Sequence, residues 1–363
     1  MTDLHNVINH FGVTGTVTEI APYGSGHIND TYRVETAEPD QFDYILQRVN
    51  SRIFKNVPAL MENIERVTKH IRIKLEAMPG TNPDREVLTL VPATDGKFYY
   101  RDPEDNFWRV YIFITDNRSY DIVDSPDKAY QGGKMFGKFQ AMIADLPGGP
   151  LHETIPNFHN IEWRLDKFRE TLLHDPSGRA ASVASESGFV FERAHEMGTI
   201  LRLGREGKIP LRITHNDTKF NNVLLDSNDK GLCVIDLDTV MPGYVHYDFG
   251  DSIRTSTNTG AEDDPDLSRV EMDIRLFEGF TRGFLEETRD TLNPVELDNL
   301  ALAGKLLPYM IGLRFLTDYV DGDHYFKIKH EHHNLQRARA QFKLLTSMER
   351  QFAEMRRIVM AYS

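Results

Sequence analysis

A chain of 363 residues lies near the upper size for one hydrophobic core, so two packed lobes are expected, and 40% apolar residues suffice to fill both. With 27% charged residues and no repeat or low-complexity tract, a disordered or fibrous chain is excluded, and 55 acidic against 42 basic side chains give a net charge of −13 that disfavours a nucleic-acid partner. The single cysteine, Cys233, excludes a disulfide framework and, set in an apolar run, reads as a buried small hydrophobe in a reducing compartment.

The first thirty residues carry Asp3, His5 and Glu19 and show no secretory signal. No stretch is read as approaching the roughly 20 apolar residues that cross a bilayer, so a cytoplasmic protein without a membrane partner is expected. From Thr16 onward TVTEIAPY, TYRVET and YILQRV are strand candidates bounded by turn formers. VPALMENIERVTKHIRIKL then changes period, with Leu60, Ile64, Val67, Ile71 and Leu75 on one helical face. VLTLVPA and FWRVYIFI are two further strands. A connector near 113–117 leads to helices, beginning with Ser125 as N-cap and Pro126 in the first turn. Met135, Phe139, Met142 and Leu146 form a buried helical stripe, and Phe342, Leu345, Phe352, Met355 and Val359 another on one late helix. A β-hairpin, NVLLD-SNDKG-LCVIDLD, interrupts the helical half. The fold expected is α+β, with a small antiparallel-sheet lobe (1–115) and a larger, mainly helical lobe (116–363).

The hairpin places chemistry at its ends. Asn222 follows Asp217 by five positions and Asp236 follows it by nineteen, so the hairpin brings all three together. An amide oxygen and a carboxylate, Asn222 and Asp236, suit Mg2+, leaving other positions for water and nucleotide phosphates. Asp217 is then free to orient an acceptor hydroxyl and take its proton. His215, Asp217 and Asn222 reproduce the kinase pattern H-x-D-x-x-x-x-N, and Lys219 offers a cation to the transferred phosphoryl group. A literal DFG occurs at Asp248, Phe249 and Gly250, but 31 residues separate Asp248 from Asp217, too far for one hairpin; Asp248 and Asp251 read as structural. Gly24, Ser25 and Gly26 lie between two strand candidates, where exposed backbone N–H groups suit a triphosphate.

GHIND, YILQRVN, THNDTKFNN, IDLDTVMPG, DFGDSIR and RFLTDY together resemble the aminoglycoside phosphotransferase and choline kinase family, whose fold is protein-kinase-like, and within it the members that act on N-acetylhexosamines. The resemblance runs nearly end to end. It implies transfer of the ATP γ-phosphate to the anomeric hydroxyl of N-acetylglucosamine or N-acetylgalactosamine, with Asp217 as base and Asn222 and Asp236 on Mg2+. It also implies sugar contacts from His27, Asn29 and Thr239, and from Arg314 and Tyr325 in the late helices, with Asp217 and Asp236 facing the substrate. One departure concerns the third-strand lysine that grips the α- and β-phosphates of protein kinases: Gln47 sits in its place beside Arg48, and strand alternation sends the two to opposite faces. The histidines of KHEHHN read as exposed, and AEDDPD at 261–266 as an exposed acidic loop. Rival readings keep the fold and change the acceptor to a plain hexose, an aminoglycoside, homoserine or choline, or retire the chemistry in a nucleotide-binding pseudokinase.

Overall fold

The computed structural model describes residues 3–24 and 28–363. Ser25, Gly26 and His27 lie outside the described residues. Helix α1 (Leu4–Ile8) starts at Asp3, whose carboxylate accepts the N–H groups of His5 and Asn6. Strands β1 (Val17–Pro22), β2 (Asp30–Thr36) and β3 (Tyr44–Val49) follow, then α2 (Val57–Glu76), α3 (Pro83–Glu86), β4 (Leu90–Val91), β5 (Tyr100–Arg101) and β6 (Phe107–Ile112). The strands form one antiparallel sheet in the order β1-β2-β3-β6-β4, with β5 on β6.

Alternation along these strands sorts the side chains by face. Tyr44, Leu46, Trp108 and Val110 join Val7, Ile8 and Phe11 in a core beneath the outer face. Val49 and Tyr111 face the other way, onto the predicted stripe of α2, whose Leu60, Ile64, Val67, Ile71 and Leu75 are all buried. Gln47 and Arg109, partners in the β3–β6 register, belong to this second face. The expected strand VLTLVPA shrinks to Leu90–Val91, because Pro92 has no N–H for the ladder and Ala93 N already donates to Lys97 O.

The second half comprises α4 (Pro126–Ile143), α5 (Ile161–His174), α6 (Ala184–Met197), α7 (Thr199–Arg205), β7 (Arg212–Thr214), β8 (Val223–Leu225), β9 (Gly231–Val234), β10 (Met241–Gly243), α8 (Val245–Ser256), α9 (Ile274–Thr288), α10 (Pro294–Asp298), α11 (Leu300–Asp321), α12 (His333–Arg350) and α13 (Phe352–Tyr362). Ser125 caps α4 as expected, its hydroxyl accepting from Lys128 N. α4 and α9 approach so closely that a Cβ on Gly133 would stand 2.1 Å from Phe280 O, and one on Gly283 2.2 Å from Tyr130 O. The single late helix expected from the Phe342–Val359 stripe is two, α12 and α13. The break falls at Gln351, whose side chain donates to Met272 O. α11 is long and apolar enough to span a bilayer by length and composition, contrary to the expectation, yet 89% of its apolar window is buried, as befits the core helix it is. The architecture is α+β, protein-kinase-like and two-lobed.

β8 and β9 pair as the predicted hairpin, and Arg118 exchanges both backbone hydrogen bonds with Leu225, tying the segment after β6 to the hairpin. Cys233 is fully buried in it, and burial pushes its thiol up to about 12.

Candidate active site

The loop between β7 and β8 is held from below. Asp248, on the first turns of α8, accepts His215 N at 2.8 Å and Asn216 N at 2.7 Å, and its backbone oxygen accepts the Thr218 hydroxyl at 2.6 Å. Gln140 Nε2 donates to the same carboxylate. Every oxygen of Asp248 is therefore spent on protein donors; burial lifts its carboxyl to about 6. The DFG aspartate is thus a structural anchor, as its sequence distance implied. His215 Nε2 meets Ile235 O at 2.9 Å, and Ile235 N donates to Asn222 O at 2.9 Å, which stitches the loop to the end of the hairpin.

Asp217 emerges half-buried from this frame. Lys219 Nζ is 3.0 Å from its Oδ1, and Asn222 Nδ2 donates to its backbone oxygen at 2.8 Å and approaches Oδ2 at 3.4 Å. Burial pushes the Asp217 carboxyl up, but Lys219, with His215 and Arg254, outweighs it and holds the group below its ordinary value. It stays ionised, the state a proton acceptor needs. Lys219 is raised in turn by Asp217.

Asp236 closes the hairpin in a left-handed conformation, φ 61° and ψ 59°, which an aspartate tolerates better than most residues. Its side chain reaches water, yet protein crowds around it. Burial, then Asp238, then Asp217 push its carboxyl up to about 7. Asp217 and Asp236 are thus close enough to feel each other's charge. A carboxylate so destabilised is relieved by a cation, and the Asn222 amide, whose NH2 is turned to Asp217, has its oxygen left for one. Among the described residues no group of three or more His, Cys, Asp or Glu is arranged to hold a metal. One carboxylate and one amide oxygen nevertheless fit Mg2+, which keeps several positions for water and phosphate.

Asp238 was missed in the sequence. It is buried, paired with the buried Arg109 guanidinium through Nη1, and accepts Asn29 Nδ2 at 2.7 Å. Arg109 Nε donates to Gln47 Oε1 at 2.9 Å, and Gln47 Nε2 to Thr31 Oγ1 at 3.0 Å. On this face of the sheet β3 offers Gln47, and the buried cation comes from β6, where Asp238 and Gln47 hold Arg109. Its signal was an arginine between Trp108 and Val110 in an otherwise apolar strand. Arg48 faces away and pairs with Asp30, as alternation requires.

Other expectations meet different geometry. Asn29 donates its amide to Asp238 and accepts Asn50 N at 3.0 Å, so it ties the start of β2 to the turn after the hairpin. Buried Thr239 donates its hydroxyl to His215 O at 2.7 Å and supports the loop in the same way. Gly24 has φ 75° and open space where a Cβ would stand. Arg314 is half-buried on α11 at 5.7 Å from the Tyr325 ring; Tyr325 lies in the loop after α11, not in a helix, and is 57% exposed. AEDDPD is only partly exposed: Glu262 binds Arg254, Asp263 binds Lys329 and His333, and Asp264 is buried. His333, expected in an exposed loop, is buried by that contact at the start of α12.

This sheet, hairpin and helical body define the protein-kinase-like phosphotransferase fold. The chain belongs to the phosphotransferase enzyme family (APH), which it matches over residues 19–286. Solved structures similar to it include a microcompartment-associated aminopropanol kinase, with TM-score 0.62, 18% identity and 97% of both chains covered. An aminoglycoside phosphotransferase from Alicyclobacillus acidocaldarius subsp. acidocaldarius DSM 446 aligns with TM-score 0.60 and 12% identity over 98% of this chain and 97% of that one. An amicoumacin kinase in complex with AMP-PNP and Ca2+ aligns with TM-score 0.57 and 13% identity over 98% and 91%.

Proposed function

We propose that the chain is an ATP-dependent N-acetylhexosamine 1-kinase, transferring the γ-phosphate to the anomeric C1 hydroxyl of N-acetylglucosamine or N-acetylgalactosamine. The observation that carries the reading is the ionised Asp217, with Lys219 on one oxygen and Asn222 beside it, sharing the hairpin end with Asp236. Residues 1–115 are read as the nucleotide-binding lobe and 116–363 as the catalytic lobe.

In this reading Asn222 and Asp236 hold Mg2+, which when bound neutralises charge on the nucleotide phosphates. Asp217 accepts the hydrogen bond of the acceptor O–H and takes its proton as the oxygen bonds to the γ-phosphorus and the bridging bond to ADP breaks. Lys219, beside Asp217, offsets charge on the phosphoryl oxygens. An anomeric hydroxyl is more acidic than an ordinary alcohol, so a carboxylate of low basicity suffices. Arg314 and Tyr325, with the rings of Phe158 and Phe326 around the guanidinium, are read as the sugar wall. Gly24, Ser25, Gly26 and Gln47 are read on the nucleotide side, and His27 on the sugar side. Buried, unpaired Cys233 suits a reducing, ATP-supplied cytoplasm.

Purified protein with ATP and Mg2+ and a panel of N-acetylhexosamines, plain hexoses, choline and aminoglycosides tests the acceptor. Turnover should be highest with N-acetylhexosamines, with product carrying phosphate on C1; turnover confined to other acceptors would overturn the sugar reading, and binding without turnover would indicate a pseudokinase.

A further inference from the structure

Beside the Asp217 loop stand two arginines with no acid to neutralise them. Arg314 makes no hydrogen bond or ion pair with any described residue; its guanidinium is 5.1 Å from the Phe158 ring, 5.5 Å from Phe326 and 5.7 Å from Tyr325. Arg164, half-buried on α5, donates Nη2 to Phe158 O at 2.9 Å, lies 5.0 Å from the Trp163 ring, and has a buried Nε without a partner. Neither has a carboxylate within ion-pair distance among the described residues. In a protein with 55 acidic side chains, this is not for want of acids.

The two charges act on each other: burial first, then Arg314, pulls the Arg164 guanidinium down to about 9. They also share a neighbour with the reacting centre. His159, whose Nε2 is 3.1 Å from Asn216 O, feels Arg314, Arg164 and Asp217 together, and burial with the two arginines holds it neutral, down at about 3. Both arginines meet Phe158, and the next residue, His159, bonds Asn216 O, so the pair stands beside the loop that carries Asp217. Two partly desolvated like charges destabilise the empty protein, and such an arrangement is relieved by a ligand that brings oxygen atoms and worsened by one that brings a cation.

We propose that Arg164, together with Arg314, forms a charge-selecting subsite that binds the oxygen-rich, non-cationic end of the acceptor and rejects acceptors bearing an ammonium group there. This deepens the kinase reading of the same site and rests on it for the position of the acceptor. The chemistry recognised is a set of oxygen acceptors, supplied either by the hydroxyls and acetamido carbonyl of a neutral sugar or by a carboxylate.

The test compares three sugars that differ in one substituent: N-acetylglucosamine (neutral), glucuronic acid (anionic) and glucosamine at about pH 6, where its amine is protonated. Binding is measured calorimetrically with Mg2+ and AMP-PNP present, and turnover with ATP. The parent should bind glucosamine about 10-fold or more weakly than N-acetylglucosamine. Arg164→Gln should narrow that ratio to about 3-fold by raising KM for the neutral sugar while leaving kcat near the parent value, whereas Arg164→Lys, which keeps the charge, should hold the ratio. An unchanged ratio in Arg164→Gln, tighter binding of the cation by the parent, or no binding of any of the three overturns the subsite. If glucuronic acid is preferred to N-acetylglucosamine, the subsite stands and the N-acetylhexosamine reading fails.

Discussion

Two charged clusters near the hairpin are built on opposite rules. At the hairpin end, Asp217, Asp236 and Asp238 crowd together, with Asp251 and Glu262 behind them, and the cations Lys219, Arg109 and Arg254 are distributed among them. At α5 and α11, Arg164 and Arg314 stand with aromatic rings and, among the described residues, no carboxylate in ion-pair reach. An excess of carboxylate prepares a place for a cation; an excess of guanidinium prepares one for oxygen. In the first cluster every carboxylate but Asp236 has a protein cation, and that one is left for a ligand; in the second no carboxylate among the described residues meets either guanidinium, so in each cluster the unpaired charge stands apart from the charges that hold the fold.

The comparison breaks most sharply at Arg109. Replacing it by Met leaves Asp238 buried without its cation, and the expected cost is about 3–5 kcal/mol in urea unfolding. A companion Asp238→Asn change should recover much of that; a loss under about 1 kcal/mol would show the pair to be dispensable. Next comes Asp217→Asn, for which a fall in kcat of at least about a hundredfold is expected, read by ADP release, with the melting temperature near the parent's. Equal rates would move the proton acceptor elsewhere. Arg314→Gln should raise KM for the acceptor about tenfold while kcat stays within a few-fold and stability does not fall, since no ion pair is lost; marked destabilisation would instead make Arg314 part of the scaffold. The smallest effect belongs to Asp263, whose carboxyl Lys329 and His333 hold down at about 2. Because its folded value lies below the ordinary 3.8, its stabilisation is present above about pH 4 and is lost as the pH falls through about 2. After solvent screening it amounts to about 1 kcal/mol. Asp263→Asn should flatten the acid limb of the stability profile there, and an unaltered limb would remove the contact from the account.

Much of the architecture was legible because it rests on local periodicity. The stripe of α2, the Ser125 cap and the β8–β9 hairpin follow from spacing that survives in any context. Asp248 was readable as an anchor from distance along the chain alone. The edge strand β4 and the break at Gln351 were not, because Leu90–Val91 depends on what pairs with it and α13 on the face of α9 it covers. Among the candidate site residues, the meeting of Asp217, Lys219, Asn222 and Asp236 was legible, since one hairpin joins them. Asp238 lies two residues beyond Asp236, but its role rests on a partner 129 positions away, and Arg109 left only a faint trace, a charge in an apolar strand.

The sequence by itself determined the periodic elements and the hairpin that gathers the carboxylates, because period and short-range closure are properties of neighbouring residues. Only the tertiary structure decided which of those charges are neutralised. Pairing depends on side chains more than a hundred positions apart, Arg109 with Asp238 and Lys305 with Glu196, meeting in space, and on Arg164 and Arg314 meeting no carboxylate among the described residues. Burial then sets how strongly each charge is felt.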